Sequence, residues 1–570
     1  MRIFKKDLRL QDITILYFTA LAALTVILVA SYQAPSNAVG LQLAWNVSFA
    51  QQEVYMQLRV AELKHGVVLG MSDRGELTNA DLVVLWDTGS RSYFGDAWSD
   101  GKGRISLDRQ QDYELIEAKQ KADGFYLTFK RPFSTCDPRD YLIQEGTVHV
   151  IYGLLDRPLS SLEELDLSKI QTGVQRVLML RPDTPSPTLP PDVQTLDVLA
   201  PNVIIPTQET TYWCFIHQLP ENIPKNHIIM YESVITPGNE AIVHHIEVFE
   251  CSPEMRDVPR YSGSCDDKMK PKKLNSCRHV LAAWAMGAEA FYYPPDAGLA
   301  MGGPGSSRFL RLEVHYHNPL LISGRRDSSG IRLHYTPSLR RYDAGIMELG
   351  LVYTPIMAIP PKQPIFYLTG YCTSKCTQAA LPPGGIYIFA SQLHTHLAGR
   401  GVRTVLVREG VELEVVQDDQ HFSAEYQVNA GVCVNLQGDV LITKCTYNTE
   451  DRSKPTVGGF GIMEEMCVNY IHYYPRTQLE LCKSHVDPGF LQKYFNFINR
   501  FNGNDQCVCG EVGVTEQFSQ LHWDGFTVEV LDSLYNTAPI SMHCNQSIAR
   551  LFPVSQNSAS YPFNSRCKLL

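Results

Sequence analysis

Short runs in which apolar and polar residues alternate fill the first third of the chain, LQLAWNVSF, VYMQLRV, DLVVLWD, FYLTFKRPF and VHVIYG, all between Leu41 and Gly153. A period of two puts successive side chains on opposite faces of a strand, so with turns between them these runs predict an antiparallel β-sandwich over residues 40–180. RPDTPSPTLPP follows, and its prolines deny the backbone regular pairing, which marks residues 181–194 as a linker. The strand pattern then resumes. In RFLRLEVHYHN, Leu310, Leu312, Val314 and Tyr316 fall on one face and Arg311, Glu313, His315 and His317 on the other, a core face and a chemical face. In GGIYIFASQLHTHLAG the same period puts Gln392, His394 and His396 together, and in EEMCVNYIHYYP it groups Met466, Val468 and Tyr470. After Asp487 the period changes: Phe490, Leu491, Tyr494, Phe495, Ile498 and Phe501 form a helical stripe, read as a packing surface. The chain is thus mainly β, with a short, partly helical C-terminal region.

At 570 residues the chain exceeds one ordinary core. Its net charge of −10 is spread thinly without a long basic stripe, so electrostatics give no reason to expect nucleic acid. Residues 13–30 are an uncharged apolar run behind Arg2, Lys5, Lys6 and Arg9, with no further lysine or arginine until Arg59. That asymmetry keeps the N-terminus cytoplasmic and sends the rest to the lumenal side, with residues 1–34 serving as cytoplasmic tail and either a cleaved signal peptide or a retained anchor. Fifteen cysteines and the sequons at Asn46 and Asn545 agree with a secretory route.

Histidine placement supplies the candidate chemistry. His394-Thr-His396 aims two imidazoles alike by strand geometry alone. His244 and His245 are adjacent, so on a regular strand they point apart, and convergence on one ion requires a strand end or a bulge. His315 and His317 compete for a third position. Met466 would ordinarily be core filler, but a thioether beside two imidazoles suits copper that passes through its monovalent state.

The strings VHHIEVFEC, RLEVHYHNP, LHTHLAG and EEMCVNYIHYYP resemble the metal-site motifs of the copper type II ascorbate-dependent monooxygenases, and the likeness extends over residues 40–550. That resemblance implies a DOMON β-sandwich at 40–180, two jelly-roll-like copper-binding β domains at 195–355 and 356–487, and a dimerisation region at 488–570. It implies two copper ions per subunit: His244, His245 and His315 would hold the electron-donating ion, and His394, His396 and Met466 the ion that meets O2, with His394 and Tyr212 in the catalytic site. It also suggests a hard-cation site in the DOMON part at Asp81, Leu82, Ala97 and Asp112. The implied disulfides are Cys136–Cys567, Cys214–Cys265, Cys251–Cys277, Cys372–Cys482, Cys376–Cys544 and Cys445–Cys467, with Cys507 and Cys509 left for bonds between subunits. Cys433 has no partner there; a free buried thiol and an error in the gene model are both compatible with QVNAGVCVNLQG, a stretch shorter than the family's.

Ascorbate would supply electrons one at a time, and O2 would be inserted into a C–H bond. A peptide-amidating relative would carry a basic residue where Gln392 stands, and its absence forfeits a bidentate carboxylate contact. Glu313, on the His315 face, suits a substrate ammonium or, structurally, an ion pair with a neighbouring arginine. The expected reaction is β-hydroxylation of a phenethylamine, dopamine to noradrenaline, in a disulfide-linked homodimer or tetramer of the secretory vesicle lumen and membrane, with a soluble secreted form. The alternatives are an orphan homologue acting on another hydrophobic amine, and a secreted copper protein that only transfers electrons.

Overall fold

Each alternating run of the N-terminal third forms a strand in the computed structural model, which describes residues 30–32, 40–180, 187–221, 223–254, 257, 260–503 and 513–545. The described residues divide into two compact units at Ser186/Pro187. The apolar run 13–29, Cys507, Cys509, Cys567 and the first part of the linker lie outside the described residues. No described helix is long and apolar enough to cross a membrane.

The first unit is two antiparallel sheets. One contains Leu41–Ser48, Glu53–Val60, Gly124–Pro132 and Glu114–Lys121; the other orders Val148–Leu155, Gly66–Ser72, Asp81–Asp87 and Ser92–Ser99 side by side. Burial alternates along Glu53–Val60, the signature of one wet face. It is continuous along Asp81–Asp87, whose outer face is covered by Leu159, Leu162, Leu165 and Leu167. Between the sheets pack Trp45, Met56, Leu58, Phe129 and Val150, and the Trp45 indole donates to the Met179 carbonyl at 2.9 Å.

In the second unit, a five-stranded sheet orders Ser262–Ser264, Thr210–Gln218, Phe309–His317, Val243–Glu250 and His279–Ala285. Leu310, Leu312, Val314 and Tyr316 are fully buried, so the predicted core face is the inner one. A larger sheet continues from this half into the next, because Ala297–Met301 runs parallel to Tyr342–Leu351, which pairs in turn with Val468–Tyr474. Tyr342–Leu351 therefore belongs by most of its pairing to the second metal domain, although the sequence places residues up to 355 in the first. A four-stranded sheet, Phe366–Cys372, Val440–Tyr447, Gly399–Arg408 and Val411–Asp419, faces the large one.

Helix Pro488–Phe501 starts where Asp487 accepts the N–H groups of Gly489 and Phe490 and proline occupies the first turn. It buries Leu491, Tyr494, Phe495 and Ile498, whereas Phe490 and Phe501, expected in the same stripe, lie on its exposed side at the stripe's edges. Strand Ile540–Asn545 returns to pair with Leu481–Val486. Among the described residues five disulfides fasten the unit: Cys214–Cys265, Cys251–Cys277, Cys372–Cys482, Cys376–Cys544 and Cys445–Cys467. Cys433 is exposed on strand Ala430–Leu436 rather than buried, and Cys136 is exposed with its expected partner undescribed. Asn46 is half-buried on strand Leu41–Ser48, while Asn545 is only 9% exposed, which leaves little room for a glycan.

Candidate metal centres

Val243 pairs with Tyr316 and His245 with His315, so His244 is one residue too many for the ladder. This is the bulge that adjacent histidines need in order to converge. Nδ1 of His245 lies 3.2 Å from Nδ1 of His244 and 3.2 Å from Nδ1 of His315. Three ligands about 2.0–2.1 Å from one ion sit about 3.3 Å apart in tetrahedral geometry, so this spacing suits a shared cation. A proton bridging one N···N contact leaves the other without a donor. Burial drives all three rings toward the neutral form, His244 down to about 4, His315 down to about 2 and His245 well below its usual range. His315 takes the third position. The His317 ring lies farther out, 6.3 Å from His244 edge to face, and its Nδ1 has no partner. Tyr212, directly across the ladder from His315, stacks on it at 4.4 Å with the planes 6° apart.

The second set is assembled at strand ends. His394 is the last residue of Ile386–His394 and His396 lies beyond it, so the shared strand face expected from sequence stops one residue short. What aims the second ring is hydrogen bonding. His394 Nδ1 lies 2.6 Å from Gln427 Oε1, and His396 Nδ1 lies 3.1 Å from the Glu464 carbonyl. Both partners are acceptors, which fixes the proton on Nδ1 and leaves each Nε2 lone pair free, the outer-shell arrangement of metal-bound histidine. Burial holds His394 down to about 3 and lowers His396 too.

Glu465, fully buried, binds the set into one piece. Its carboxylate accepts the backbone N–H groups of His396 at 2.9 Å, Ala398 at 2.6 Å and Met466 at 3.3 Å. Met466 follows it, with its carbonyl accepting the Tyr447 hydroxyl at 2.6 Å. Though buried, the Met466 side chain joins none of the apolar clusters that build the cores. Donor chemistry in both sets, and the spacing of the three Nδ1 atoms in the first, fit copper.

The two sets lie within one unit, and charge on His394 and His396 opposes protonation of His245. Contacts between the halves are close: His472 packs on Phe291 at 4.5 Å, and His279 Nδ1 is 3.3 Å from Glu480. A Cβ at Gly287, where φ is +89°, would lie 2.4 Å from the Tyr426 ring, so only glycine fits there. Gln392 is buried and donates to the Gln427 carbonyl at 3.1 Å. Glu313 pairs with Arg311 at 3.4 Å, the structural alternative. Glu247, which the sequence pattern did not single out, lies across from Glu313 and forms no ion pair among the described residues, although the Arg311 charge reaches it. Burial pushes it up to about 8, helped by the Glu313 charge. Its place two residues from His245 was the available signal.

In the first unit, Asp81, Asp96 and Asp140 converge, and each keeps one buried oxygen without a partner. Burial pushes Asp96 up to about 8 and Asp140 up to about 6, while Asp81 is paired with Arg131. Of the expected set, Leu82 and Ala97 are ladder partners, and Asp112 is turned to Gln110 Nε2 at 3.1 and 3.0 Å while its N–H donates to Asp96 at 2.9 Å.

Comparison with known proteins agrees with this geometry. The profile of the copper type II ascorbate-dependent monooxygenase N-terminal domain matches residues 196–323, that of the C-terminal domain 342–495, and that of the DOMON domain 39–154. The chain belongs to the copper type II ascorbate-dependent monooxygenases. It is 60% identical to dopamine beta-hydroxylase of Bos taurus over 96% of this chain and 92% of that one, and 60% identical to the Homo sapiens protein of that name over 97% and 92%. Tyramine beta-hydroxylase of Caenorhabditis briggsae is 36% identical over 92% of this chain and 87% of its own length. The protein is therefore an oxidoreductase that uses copper, ascorbate and O2.

Proposed function

We propose that this monooxygenase hydroxylates the benzylic carbon of a phenethylamine, converting dopamine to noradrenaline. The observation that carries the reading is the pair of unequal histidine sets, three converging Nδ1 atoms in one half and, in the other, two imidazoles with free Nε2 atoms tied through Glu465 to the backbone of Met466. His244, His245 and His315 would hold one copper, and His394, His396 and Met466 the other. When bound, the two ions deliver one electron each to O2 and set where oxygen enters the substrate.

The chain's own part is positional. Gln427 and the Glu464 carbonyl orient the two imidazoles, and Glu465 fixes Met466 relative to them. Glu247, half-buried and without an ion pair among the described residues, suits the substrate ammonium; its charge is felt by Tyr470, whose ring is 6.0 Å from that of His394. The buried Gln392 offers no charge to a peptide carboxylate, which supports an amine over a peptidyl substrate. A hard cation in the first unit would be held by Asp81, Asp96 and Asp140, whose unpartnered oxygens support the site. The N-terminal apolar run and the disulfides support a secretory location, and Cys507 and Cys509 would join two subunits.

Met466→Ala tests the reading. Copper content should fall from two ions per chain toward one, and dopamine hydroxylation should drop at least a hundredfold while secretion persists. Undiminished turnover would exclude the assignment, and a protein that reduces and reoxidises its copper without forming noradrenaline would leave only an electron-transfer role.

A further inference from the structure

The segment Arg260–Arg278 carries six cations, Arg260, Lys268, Lys270, Lys272, Lys273 and Arg278, against two carboxylates, Asp266 and Asp267, in a chain whose net charge is −10. Its core, residues 265–277, is stapled at both ends. Cys265 is bonded to Cys214 on the strand that carries Tyr212, and Cys277 to Cys251 at the end of the strand that carries His244 and His245. The loop therefore rides on the two strands that support the first histidine set. Lys268, Lys272, Lys273 and Arg278 are exposed, and among the described residues none of them pairs with a carboxylate; Lys273 reaches only the Asp257 carbonyl at 3.4 Å and Arg278 the Asn275 carbonyl at 2.7 Å. The charge of Lys270 is felt by the half-buried Glu313, while Lys268, Lys272 and Lys273 form no ion pair among the described residues and repel one another with nothing to offset it.

The loop is also wired to the metal centre. Lys270 Nζ donates to the Cys265 carbonyl at 2.5 Å, the Cys265 N–H donates to the Tyr212 carbonyl at 2.8 Å, and Tyr212 stacks on His315. His244 and His315 are buried and His245 is half-buried, so an external electron donor has to deliver its electron from the rim. The donor this family uses is an anion.

We propose that the stapled loop 265–278 is the docking surface for the anionic reductant, drawing ascorbate to the Tyr212–His315 edge of the first donor set. The inference rests on reading that set as the centre that accepts electrons. Each docked ascorbate monoanion gives one electron to the protein's metal centre and one proton to solvent, and leaves as the radical monoanion; two such encounters load one turnover. The charge of the ligand is the same on arrival and departure, so binding is necessarily weak and fast, and the surface acts on the association rate. A patch of this kind raises association by about 10-fold or more at low ionic strength, and the effect fades as the screening length shrinks to about 8 Å near physiological salt.

The test uses the copper-loaded enzyme under anaerobic conditions, following loss of the cupric EPR signal after mixing with ascorbate at low and high salt. A triple variant, Lys268→Gln with Lys272→Gln and Lys273→Gln, alters only exposed side chains. It should lower the second-order reduction rate by about tenfold at low salt and abolish its salt dependence, while reduction by an uncharged hydroquinone stays within twofold and copper content is unchanged. Lys270→Gln, at the mouth, should shift ascorbate reduction in the same direction. Equal ascorbate rates and salt slopes in wild type and variant would overturn the proposal. So would equal loss with both reductants, which would show a loop that merely supports the site, and so would loss of binding to an immobilised sulfated polysaccharide with ascorbate kinetics intact, which would reassign the loop to an extended polyanion. Absence of hydroxylated amine in a protein that is normally reduced by ascorbate would defeat the substrate reading and leave this one standing.

Discussion

Glu465→Gln keeps the shape of a fully buried side chain and removes the charge it carries above about pH 7, to which burial pushes the carboxyl up. In the native protein Oε1 accepts the Ala398 N–H, and Oε2 accepts those of His396 and Met466. An amide has one acceptor, so at least one of the three N–H groups must face an NH2 donor. A hydrogen bond to a charged group contributes about 1.5–3 kcal/mol net, and a buried donor left unpaired costs about 1–3 kcal/mol. Taken together the penalty is about 2.5–6 kcal/mol, and it falls where the His-Thr-His turn meets Met466. Loosening outer-shell support of this kind typically costs about 10–100-fold in metal affinity. Copper titration against a competing chelator should therefore show one site of native affinity and one weakened by that factor. Noradrenaline formation should track occupancy of the weak site and recover in excess copper. Native affinity at both sites, or equal weakening of both, would refute the claim that this carboxylate organises the second set alone.

Gln427→Leu removes the acceptor for His394 Nδ1–H, and it should lower second-site copper affinity about tenfold with the first site unaffected, measured by the same titration; Gln427→Glu, which restores an acceptor, should recover most of it. In the first unit, Asp96 and Asp140 are raised to about 8 and about 6 from an ordinary value of 3.8. The folded unit therefore retains protons that the unfolded chain has released, and the associated stability is complete below about pH 4 and lost as pH rises through about 6 and then 8. In chelator, the calorimetric transition of this unit should fall between pH 5.5 and pH 8, and calcium should restore it at pH 8; a transition indifferent to both would remove the cation site.

Strand identity and the buried face of Phe309–His317 are legible from local alternation, because a period of two is a property of neighbours. The need for a bulge at His244 and His245 is equally local, since two adjacent side chains cannot otherwise converge. His396 shows the limit of such reading: the strand ends at His394, and the second ring is aimed by Glu464 and Glu465, about seventy residues away along the chain. Gln427 and Glu247 stayed hidden for the same reason, because their meaning depends on which partner they meet or lack across the fold. Periodicity also widened the helical stripe to Phe490 and Phe501, whose angular positions lie at its edges, where the packing partner decides exposure.

The parallel pairing of Ala297–Met301 with Tyr342–Leu351 makes the two metal-bearing halves parts of one backbone ladder. Neither half owns all the strand edges it depends on, so severing the chain between them would uncover hydrogen-bonding groups that invite misassociation. Dissection into separately produced fragments should accordingly give insoluble material, and protein engineers seeking altered electron relay between the centres will have to rebuild both together.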